Sequence, residues 1–204
     1  MTPSWDADDQ RTVAYFSELN GKFGVDARAL DWGSRESQQL RFKVLSEVRM
    51  PASASILDVG CGQGDLYLWL QREGRDVTYT GIDLTPSMVA SAQSRFPSVR
   101  FECGNLLDPA ILAGETFDVV IASGIFYYRQ HSPEQYMSRM VSALFSRCRS
   151  SLAFNSLSSW ATNQSEGEFY ADPAATVTCC RELTHQVVLR HDYHPQDFTI
   201  FLYR

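Results

Sequence analysis

The stretch "ILDVGCGQGDLYLWL", residues 56–70, places three glycines within five positions, at Gly60, Gly62 and Gly64. An apolar run typical of a buried strand precedes the glycines, and an amphipathic run typical of a helix follows them. Glycine permits positive φ and lets a ligand approach the backbone without a Cβ atom in the way. The free N–H groups at the start of the helix favour an anionic group. This stretch therefore predicts a ligand site where the strand meets the helix.

The alternation of strand and helix continues to the end of the chain. Short runs rich in β-branched and aromatic residues predict six further strands: "DVTYTGIDL", "VRFECGN", "FDVVIAS", "SLAFNSLS", "HQVVLRHDY" and "FTIFLYR". The last two are separated only by "HPQD", which is too short for a parallel crossover, so they predict an antiparallel hairpin. We expect an α/β fold with a seven-stranded, mostly parallel sheet, an antiparallel last strand and helices on both faces.

The sequence also predicts an N-terminal helical region and the starts of three later helices. Two helical patterns precede the first strand, and we expect residues 1–50 to form a helical cap, either on the sheet edge or over the ligand crevice. We expect residues 51–204 to form the Rossmann-like core of a single domain that spans residues 1–204. Three later helices are predicted to begin with a capping residue and a proline, and a capping box joins Ser132 to Gln135. The three starts are Thr85-Pro86, Ser132-Pro133 and Asp172-Pro173.

Composition excludes several classes of partner. The 204 residues carry a net charge of −6, which opposes non-specific binding to nucleic acid. The N-terminus lacks the pattern of a secretory signal, and no apolar run reaches the ~18 residues of a membrane span, so we expect no membrane partner. The five cysteines are odd in number and show no CxxC spacing, which predicts a reducing, cytoplasmic location without a zinc site. The oligomeric state stays open.

The residues beyond the glycines indicate which ligand is bound. The spacing is G-x-G-x-G, with Asp58 two residues before the first glycine, whereas a dinucleotide fingerprint is G-x-G-x-x-G. Asp83 ends the next strand, where a carboxylate can accept from both hydroxyls of a ribose, although a solvated or helix-capping role is the alternative. Asn105 and Leu106 follow the third strand and suit a purine edge and face, or turn chemistry alone. Together these residues predict a nucleoside ligand.

The motifs "LDVGCGQG", "GIDLTPSMVASAQ", "CGNLLD" and "FDVVIASGIF" resemble, in order, those of class I S-adenosylmethionine-dependent methyltransferases. The resemblance covers about residues 55–150. The segments "WGSRESQQLRF", "SGIFYY", "AFNSLSS" and "HDYHPQDFTIFLYR" are similar to a group of small, mostly bacterial methyltransferases without a defined substrate. The resemblance implies a Rossmann-like fold and S-adenosyl-L-methionine as methyl donor, with S-adenosyl-L-homocysteine as product.

The resemblance also implies roles for individual residues. The first motif would shape the pocket for the methionine part of the donor, Asp83 would bind the ribose, and Asn105 would lie near the adenine edge. Arg41 is a candidate for the methionine carboxylate, or else a solvated helix residue. The remaining donor-binding candidates are Asp58, Gly60, Cys61, Gly62 and Gly64 of the first motif, Leu84 and Leu106 around the adenine, and Ser123 with Gly124 beside the sulfonium.

Two departures from the family pattern stand out. The Leu-Lys-Pro-Gly-Gly-like turn that usually precedes the fifth strand is replaced by "FSRCRSS", which leaves the local geometry there undefined. No "NPPY"-like run follows the fourth strand, which argues against transfer to a nucleobase or amide nitrogen.

The acceptor is expected over the loops after the fourth and fifth strands, which are rich in aromatic residues. They favour a small, partly apolar or aromatic acceptor, with ordinary packing as the alternative role of each side chain. The acceptor-binding candidates are Phe126, Tyr127, Tyr128, Trp160 and Tyr170. His131 is the candidate general base, or a surface histidine. The hairpin histidines His185, His191 and His194 are expected far from the crevice and are not predicted to bind metal.

The leading hypothesis is an S-adenosylmethionine-dependent methyltransferase that transfers a methyl group to a small molecule by in-line displacement. A non-catalytic, S-adenosylmethionine-binding regulatory or partner subunit is the alternative, because no catalytic residue is compelling. A nicotinamide-dependent oxidoreductase is a third possibility, which the G-x-G-x-G spacing and the preceding Asp58 disfavour.

Overall fold

A seven-stranded sheet forms the centre of the computed structural model, which describes residues 7–128 and 130–204. The strand order is β3-β2-β1-β4-β5-β7-β6, and β7 runs antiparallel to both of its neighbours while the other pairs are parallel. The predicted mostly parallel sheet with an antiparallel last strand is confirmed. The strands are β1 Ala54–Val59, β2 Val77–Asp83, β3 Arg100–Cys103, β4 Phe117–Ala122, β5 Cys148–Leu157, β6 Gln186–Arg190 and β7 Asp197–Tyr203.

Helices cover both faces of this sheet. One apolar cluster packs α5 and α6 against the sheet around Leu144 and Leu152, and the other packs α2, α3 and α4 around Leu45 and Leu70. All four of these leucines are fully buried, so each face excludes water and the strands are apolar on both sides. The helices are α1 Ala7–Phe23, a 3₁₀ helix Ala27–Leu30, α2 Arg35–Leu45, α3 Asp65–Arg72, α4 Pro86–Arg95, α5 Pro133–Arg147 and α6 Pro173–Arg181.

The three predicted starts at proline are confirmed, but only one of the three caps forms. Asp172 Oδ1 accepts from the N–H groups of Ala174 and Ala175, at 2.7 and 3.2 Å. The side chains of Thr85 and Ser132 make no capping hydrogen bond, so these two caps and the Ser132–Gln135 box were wrongly predicted. Ser132 has ψ 75°, outside the extended conformation that directs a cap side chain towards the helix.

The segment "FSRCRSS" contains no turn, because α5 ends at Arg147 and β5 begins at Cys148. The Arg204 side chain donates to the carbonyl oxygens of Phe145 and Cys148, at 2.9 and 2.7 Å. This arginine therefore satisfies carbonyl groups at the end of the helix, a task that a glycine turn performs elsewhere.

The end of α1 lies against the glycine turn that follows β1, whereas α2 packs on a face of the sheet. Gln63, within that turn, is buried, and its Nε2 donates to Asn20 Oδ1 and to the Gly24 carbonyl oxygen, at 2.7 and 2.5 Å. The end of α1 is thus attached to the turn at the carboxyl end of the sheet. Within residues 7–128 and 130–204, no helix has the length and apolar character needed to cross a membrane.

Candidate active site

The glycine turn has the geometry that its sequence predicts. Gly60 has φ +76°, and a Cβ atom built on it would lie 2.2 Å from Ile125 Cγ2, so no other residue fits without a rearrangement. The N–H groups of Gly60 and Cys61 both donate to the Ile82 carbonyl oxygen, at 2.8 and 3.1 Å. The turn is therefore held at the carboxyl end of β2. It lies beside the boundary between β1 and β4, where the order of the strands in the sheet reverses direction.

Asp83 connects this turn to the start of α4. Its Oδ2 accepts from the Gly62 N–H and its Oδ1 accepts from the Thr85 N–H, both at 2.8 Å. Burial raises the pKa of Asp83, and these two backbone hydrogen bonds oppose the increase. Each carboxylate oxygen has a second lone pair, so the side chain retains the capacity to accept from a ligand.

Asp58 is the second carboxyl group at the turn and is buried, with 2% of its surface exposed. The Tyr79 hydroxyl donates to Asp58 Oδ2. Burial raises the pKa of Asp58 to about 7, and the neighbouring carboxylates of Asp83 and Asp65 contribute to the increase. A cation bound nearby would stabilise the ionised form of Asp58 and lower this pKa.

The cavity next to the turn, called here the glycine cavity, contains about 1060 Å³ of empty space including its mouth. Nine of the predicted donor-binding residues line it, whereas Gly62 and Gly64 shape the backbone behind it. Ser123 Oγ and Gln130 Oε1 also face this cavity, are buried, and have no hydrogen-bond partner among the described residues. The nine residues are Asp58, Gly60, Cys61, Asp83, Leu84, Asn105, Leu106, Ser123 and Gly124.

The cap contributes residues to the glycine cavity that the sequence did not identify individually. Thr12, Phe16, Leu30 and Trp32 line it from α1, the 3₁₀ helix and the segment after that helix. Asn105 extends this connection, because its Nδ2 donates to Asp9 Oδ2 at 2.7 Å. These residues show no spacing that marks them as ligand-binding, and only the folded cap brings them to the crevice.

A second cavity, called here the polar cavity, adjoins the first one and contains about 880 Å³ including its mouth. Leu30, Trp32, Gly124 and Tyr127 line both cavities, so the two meet next to the loop after β4. Most of the residues that line it have polar side chains. They are Asp31, Ser37, Arg41, Tyr127, Asn155, Ser156, Ser165, Glu168, Tyr170, His194, Gln196 and Asp197.

Arg41 lines the polar cavity and is absent from the lining of the glycine cavity. Its guanidinium pairs with Asp197, donates to the Ser37 carbonyl oxygen at 2.7 Å and lies over the Trp32 ring at 5.0 Å. The side chains of Arg41 and Asp197 are only 6% and 4% exposed. This arrangement is a buried ion pair between α2 and β7, not the solvated helix residue that was the alternative.

His194 also lines the polar cavity, so the expectation that the hairpin histidines lie far from the crevice was wrong for this residue. The segment between β6 and β7 folds back over the carboxyl end of β5, where the Ser158 N–H donates to the Gln196 carbonyl oxygen at 2.8 Å. His194 Nδ1 lies 2.7 Å from Asp197 Oδ2. No group of three His, Cys, Asp or Glu side chains in the described part of the chain is arranged to hold a metal ion.

The aromatic acceptor candidates separate into two groups. Tyr127 lines both cavities, Tyr128 the glycine cavity and Tyr170 the polar cavity. Phe126 instead packs in the core beside α5, and Trp160 is 55% exposed and stacks on His191, with 5.2 Å between ring centroids. These last two residues line neither cavity.

His131, the candidate base, is exposed and lies outside the residues that line the two cavities. Its backbone N–H donates to Asp8 Oδ2 at 3.0 Å. The structure therefore connects this residue to the cap through its main chain.

A pair of tyrosines closes the cap over the cavities. Asp31 Oδ2 accepts from the hydroxyls of Tyr15 and Tyr127, at 2.7 and 3.0 Å. We call these three residues the Asp31 clasp. Burial and the Asp31 carboxylate raise the pKa of both phenols, so both remain neutral donors. The clasp joins α1, the segment after the 3₁₀ helix and the loop after β4.

Comparison with known proteins agrees with this geometry. Residues 56–146 match the family described as "Methyltransferase domain". The chain is 34% identical over 158 residues to Rv1506c of Mycobacterium tuberculosis, which is named as a methyltransferase without a substrate, and the match covers 72% of this chain and 92% of that relative. It is 31% identical over 144 residues to the ribosomal protein L11 methyltransferase of Paraburkholderia xenovorans, covering 70% of this chain but 43% of that protein.

Solved structures show the same fold. Magnesium protoporphyrin IX methyltransferase from Synechocystis, with bound S-adenosylmethionine, has a TM-score of 0.66 and 17% identity over the whole of both chains. Its complex with S-adenosylhomocysteine has a TM-score of 0.68 and 15% identity, over 96% of this chain and 95% of that one. The unpartnered atoms Ser123 Oγ and Gln130 Oε1 and the bare glycine backbone fit a ligand of this kind in the glycine cavity.

Proposed function

This chain belongs to the class I S-adenosylmethionine-dependent methyltransferases, and on that premise we propose that it methylates a small molecule held in the polar cavity. The observation that carries the proposal is the contact between the two cavities at Gly124. A donor in the glycine cavity and an acceptor in the polar cavity would meet there. Bound S-adenosylmethionine supplies a methyl group that is already activated by the positive sulfur.

We infer that the first cavity holds the donor through the residues that line it. Asp83 accepts from the ribose hydroxyls, and the ionised Asp58 stabilises the ammonium group. Leu84 and Leu106 cover the adenine, and Asn105 lies at its edge. Gly60 and Cys61, with Gly62 and Gly64 behind them, form the backbone wall, and Ser123 stands next to the acceptor side. Positioning of this kind contributes ~7–11 kcal/mol to a displacement reaction.

The size and closure of the polar cavity support a small acceptor. A volume of about 880 Å³ including the mouth is within the range for small-molecule sites. The Asp31 clasp holds the cap across the entrance, which would have to open for a folded macromolecule to present its surface. Tyr127 and Tyr170 supply aromatic surface for the acceptor, and Arg41 contributes to this cavity rather than to the methionine carboxylate.

The remaining candidates have other roles in this proposal. Tyr128 covers the donor from the cap side, because it lines the glycine cavity and stacks on Tyr15 with 5.1 Å between ring centroids. Phe126 supports the loop from the core, and Trp160 packs on His191. His131 has no catalytic role, since it lies outside both linings.

The test is transfer of isotopically labelled methyl groups from S-adenosylmethionine to three fractions: cellular small molecules, protein and RNA. We expect label in the small-molecule fraction, and loss of that label with Asp83→Ala. Label confined to protein or RNA would contradict a small-molecule acceptor. Tight donor binding without transfer to any fraction would instead favour the non-catalytic alternative.

A further inference from the structure

The Asn155 side chain hydrogen-bonds to the protein through only one end of its amide. Asn155 lies near the end of β5 and is 2% exposed, and its Oδ1 accepts from the Gly124 N–H at 2.7 Å. Because a backbone N–H can only donate, this contact fixes which end of the amide is the oxygen. The two hydrogens of Nδ2 therefore lie at the other end of the amide, and no described residue accepts from them.

The amide of Asn105, in the loop after β3, is used differently. Its Nδ2 donates to Asp9 Oδ2 at 2.7 Å and its Oδ1 accepts from the Leu107 N–H at 2.9 Å, so the protein satisfies both ends of this amide. A buried donor without a partner costs free energy unless a bound molecule accepts from it. Asn155 therefore indicates a ligand that brings a hydrogen-bond acceptor to Nδ2.

The Asn155 amide lies at the place where the two cavities meet. Asn155 pairs with Thr199 of β7 and shares a sheet face with Asp197, two residues before Thr199. The Arg41 side chain of α2 lies on that face because it pairs with Asp197, and these two residues line the polar cavity together with Asn155. Gly124, which holds the amide oxygen, lines both cavities. An acceptor that contacts Nδ2 would thus lie next to the donor.

We propose that Asn155 binds the nucleophilic atom of the acceptor through Nδ2, and that this atom is the oxygen of a neutral hydroxyl group. The chain is then an O-methyltransferase. The proposal rests on the function proposed above and names the attacking atom at the same site. Asn155 is a substrate-binding residue that orients the nucleophile, and Gly124 is the positioning residue that orients Asn155.

The number of lone pairs on the nucleophile favours oxygen. A hydroxyl oxygen has two lone pairs, so one can accept from Nδ2 while the other attacks the methyl carbon. A neutral amine nitrogen has a single lone pair, and a hydrogen bond from Nδ2 would occupy the electrons that must attack. A thiol sulfur is a weak hydrogen-bond acceptor and would leave the amide poorly satisfied. An amide donor at this position therefore selects an oxygen nucleophile.

The reaction needs only the donor, the acceptor and water. One oxygen lone pair forms the bond to the methyl carbon, and the carbon–sulfur bond breaks with its electron pair going to sulfur. The positive sulfonium becomes the neutral thioether of S-adenosylhomocysteine, and the hydroxyl becomes a methyl ether. The hydroxyl proton passes to water at the mouth of the cavity. The Nδ2 hydrogen bond stabilises the negative charge that develops on the oxygen as this proton leaves.

The lining of the polar cavity narrows the acceptor further. Among its described lining residues, Asp31, Glu168 and Asp197 carry carboxylates, and the Arg41 guanidinium is already paired with Asp197. A carboxylate acceptor would meet like charge, so the nucleophile enters as a hydroxyl. The Tyr127 ring lines both cavities and offers aromatic surface, which suits a hydroxyl on an aromatic ring. We therefore expect a phenolic acceptor.

The first experiment observes the Asn155 amide directly by NMR. In S-adenosylhomocysteine-bound protein labelled with ¹⁵N-asparagine, Asn155→Asp identifies the side-chain NH₂ signals of Asn155. Phenol and aniline are the matched probes, because they differ only in the hydroxyl and amine groups. We expect phenol to shift these signals more than aniline does, and benzoate to shift them less than phenol does. An equal or larger shift with aniline or benzoate, or no shift with phenol, would overturn the proposal.

The second experiment identifies the methylated atom. In the transfer assay described above, S-adenosylmethionine carries a ¹³C-methyl group, and the carbon shift of the product distinguishes methyl groups on oxygen, nitrogen, sulfur and carbon. We expect an O-methyl product. A small-molecule product methylated on nitrogen, sulfur or carbon would refute the role of Asn155 and leave the small-molecule function standing. Label confined to protein or RNA would contradict that function and the present proposal with it.

The third experiment is kinetic and uses an acceptor found in that assay. Asn155→Asp retains Oδ1 for the Gly124 N–H but replaces the donor hydrogens by a carboxylate oxygen. We expect kcat to fall about 10²–10³-fold, as on removal of a donor to a developing oxyanion, while the affinity for S-adenosylhomocysteine stays close to that of the wild type.

Asn163→Asp is the matched control for this variant, because Asn163 is exposed and lies outside both cavity linings. An Asn155→Asp enzyme with the rate of the wild type would overturn the proposal. If Asn155→Asp no longer binds S-adenosylhomocysteine, the probe titration and the product analysis of the wild type decide.

Discussion

The Asp83 side chain both orders the backbone of the candidate donor site and places a carboxylate there for a ligand. Its two oxygens fix the glycine turn through the Gly62 N–H and the start of α4 through the Thr85 N–H. The charge that orders these two backbone segments is therefore available to a ligand at the point where they meet. Its position at the end of β2 follows from the sequence, because a parallel strand exposes its last residue at the crevice.

We predict that Asp83→Ala weakens binding of S-adenosylhomocysteine about tenfold or more, because charged hydrogen bonds contribute ~1.5–3 kcal/mol each. Calorimetric titration measures this loss. Asp108→Ala is the control: Asp108 is exposed and its carboxylate accepts from the Ala110 N–H at 2.9 Å in a comparable turn. Equal affinities of the wild type and Asp83→Ala would remove Asp83 from the donor site.

The pKa of Asp58 gives a prediction about pH. Since its folded pKa is about 7 and a bound ammonium stabilises the ionised form, binding of S-adenosylhomocysteine should release a proton below neutrality. Donor affinity should therefore rise as pH increases from one unit below neutral to one unit above it. In Asp58→Asn this rise should disappear. Titrations in buffers of different ionisation enthalpy measure the released proton, and the same pH dependence in both proteins would exclude Asp58 as its source.

At the scale of elements, the strands and most helices could be predicted from the sequence because their signals are local. Short apolar runs rich in β-branched and aromatic residues indicate the strands, and prolines indicate the starts of α4, α5 and α6. The caps of α4 and α5 could not be predicted, because they depend on the backbone angles of Ser132 and on the hydrogen bond of the Thr85 side chain with Asp83. The cavity-lining residues of the cap could not be predicted from the sequence either, because the contacts that place them join α1 to the loops that follow β1 and β4.

The Asp31 clasp should control how often the cap opens. Tyr15→Phe removes the 2.7 Å hydrogen bond from α1 to Asp31 and keeps the ring. A hydrogen bond to a charged group contributes ~1.5–3 kcal/mol, so amides of α1 that exchange by opening of the cap should exchange about tenfold faster or more. Hydrogen exchange read by mass spectrometry measures the effect.

Tyr67→Phe is the matched control for this prediction. Tyr67 lies on α3, away from the clasp, and packs against the rings of Tyr79 and Phe96. Unchanged exchange of α1 in Tyr15→Phe would mean that the clasp does not limit opening.

At the scale of the whole molecule, the sequence predicted the polar cavity only in part, through the candidate residues Tyr127 and Tyr170. Arg41, Asn155 and Asp197 lie on α2, β5 and β7, and only the order of strands in the sheet brings them together. The antiparallel last strand is what returns the hairpin to the carboxyl end of β5. Sequence reasoning could predict donor residues because they follow successive strands within recognisable motifs, whereas the proposed acceptor side is assembled from distant segments.

We expect the buried Arg41–Asp197 ion pair between α2 and β7 to contribute to the free energy of unfolding of the whole domain. Because both side chains are buried, removal of one partner leaves an uncompensated charge and should cost about 3–5 kcal/mol. Asp197→Leu should cost more than Arg41→Met, because His194 still contacts Asp197 when the arginine is absent, whereas Arg41 loses its only ion-pair partner among the described residues. The double variant should lose less free energy of unfolding than the sum of the losses in the two single variants. Urea unfolding measures all three free energies, and the exposed Arg100–Glu115 pair, expected to contribute about 1 kcal/mol or less, is the control. Strict additivity of the two single losses would show that the pair does not couple α2 to β7.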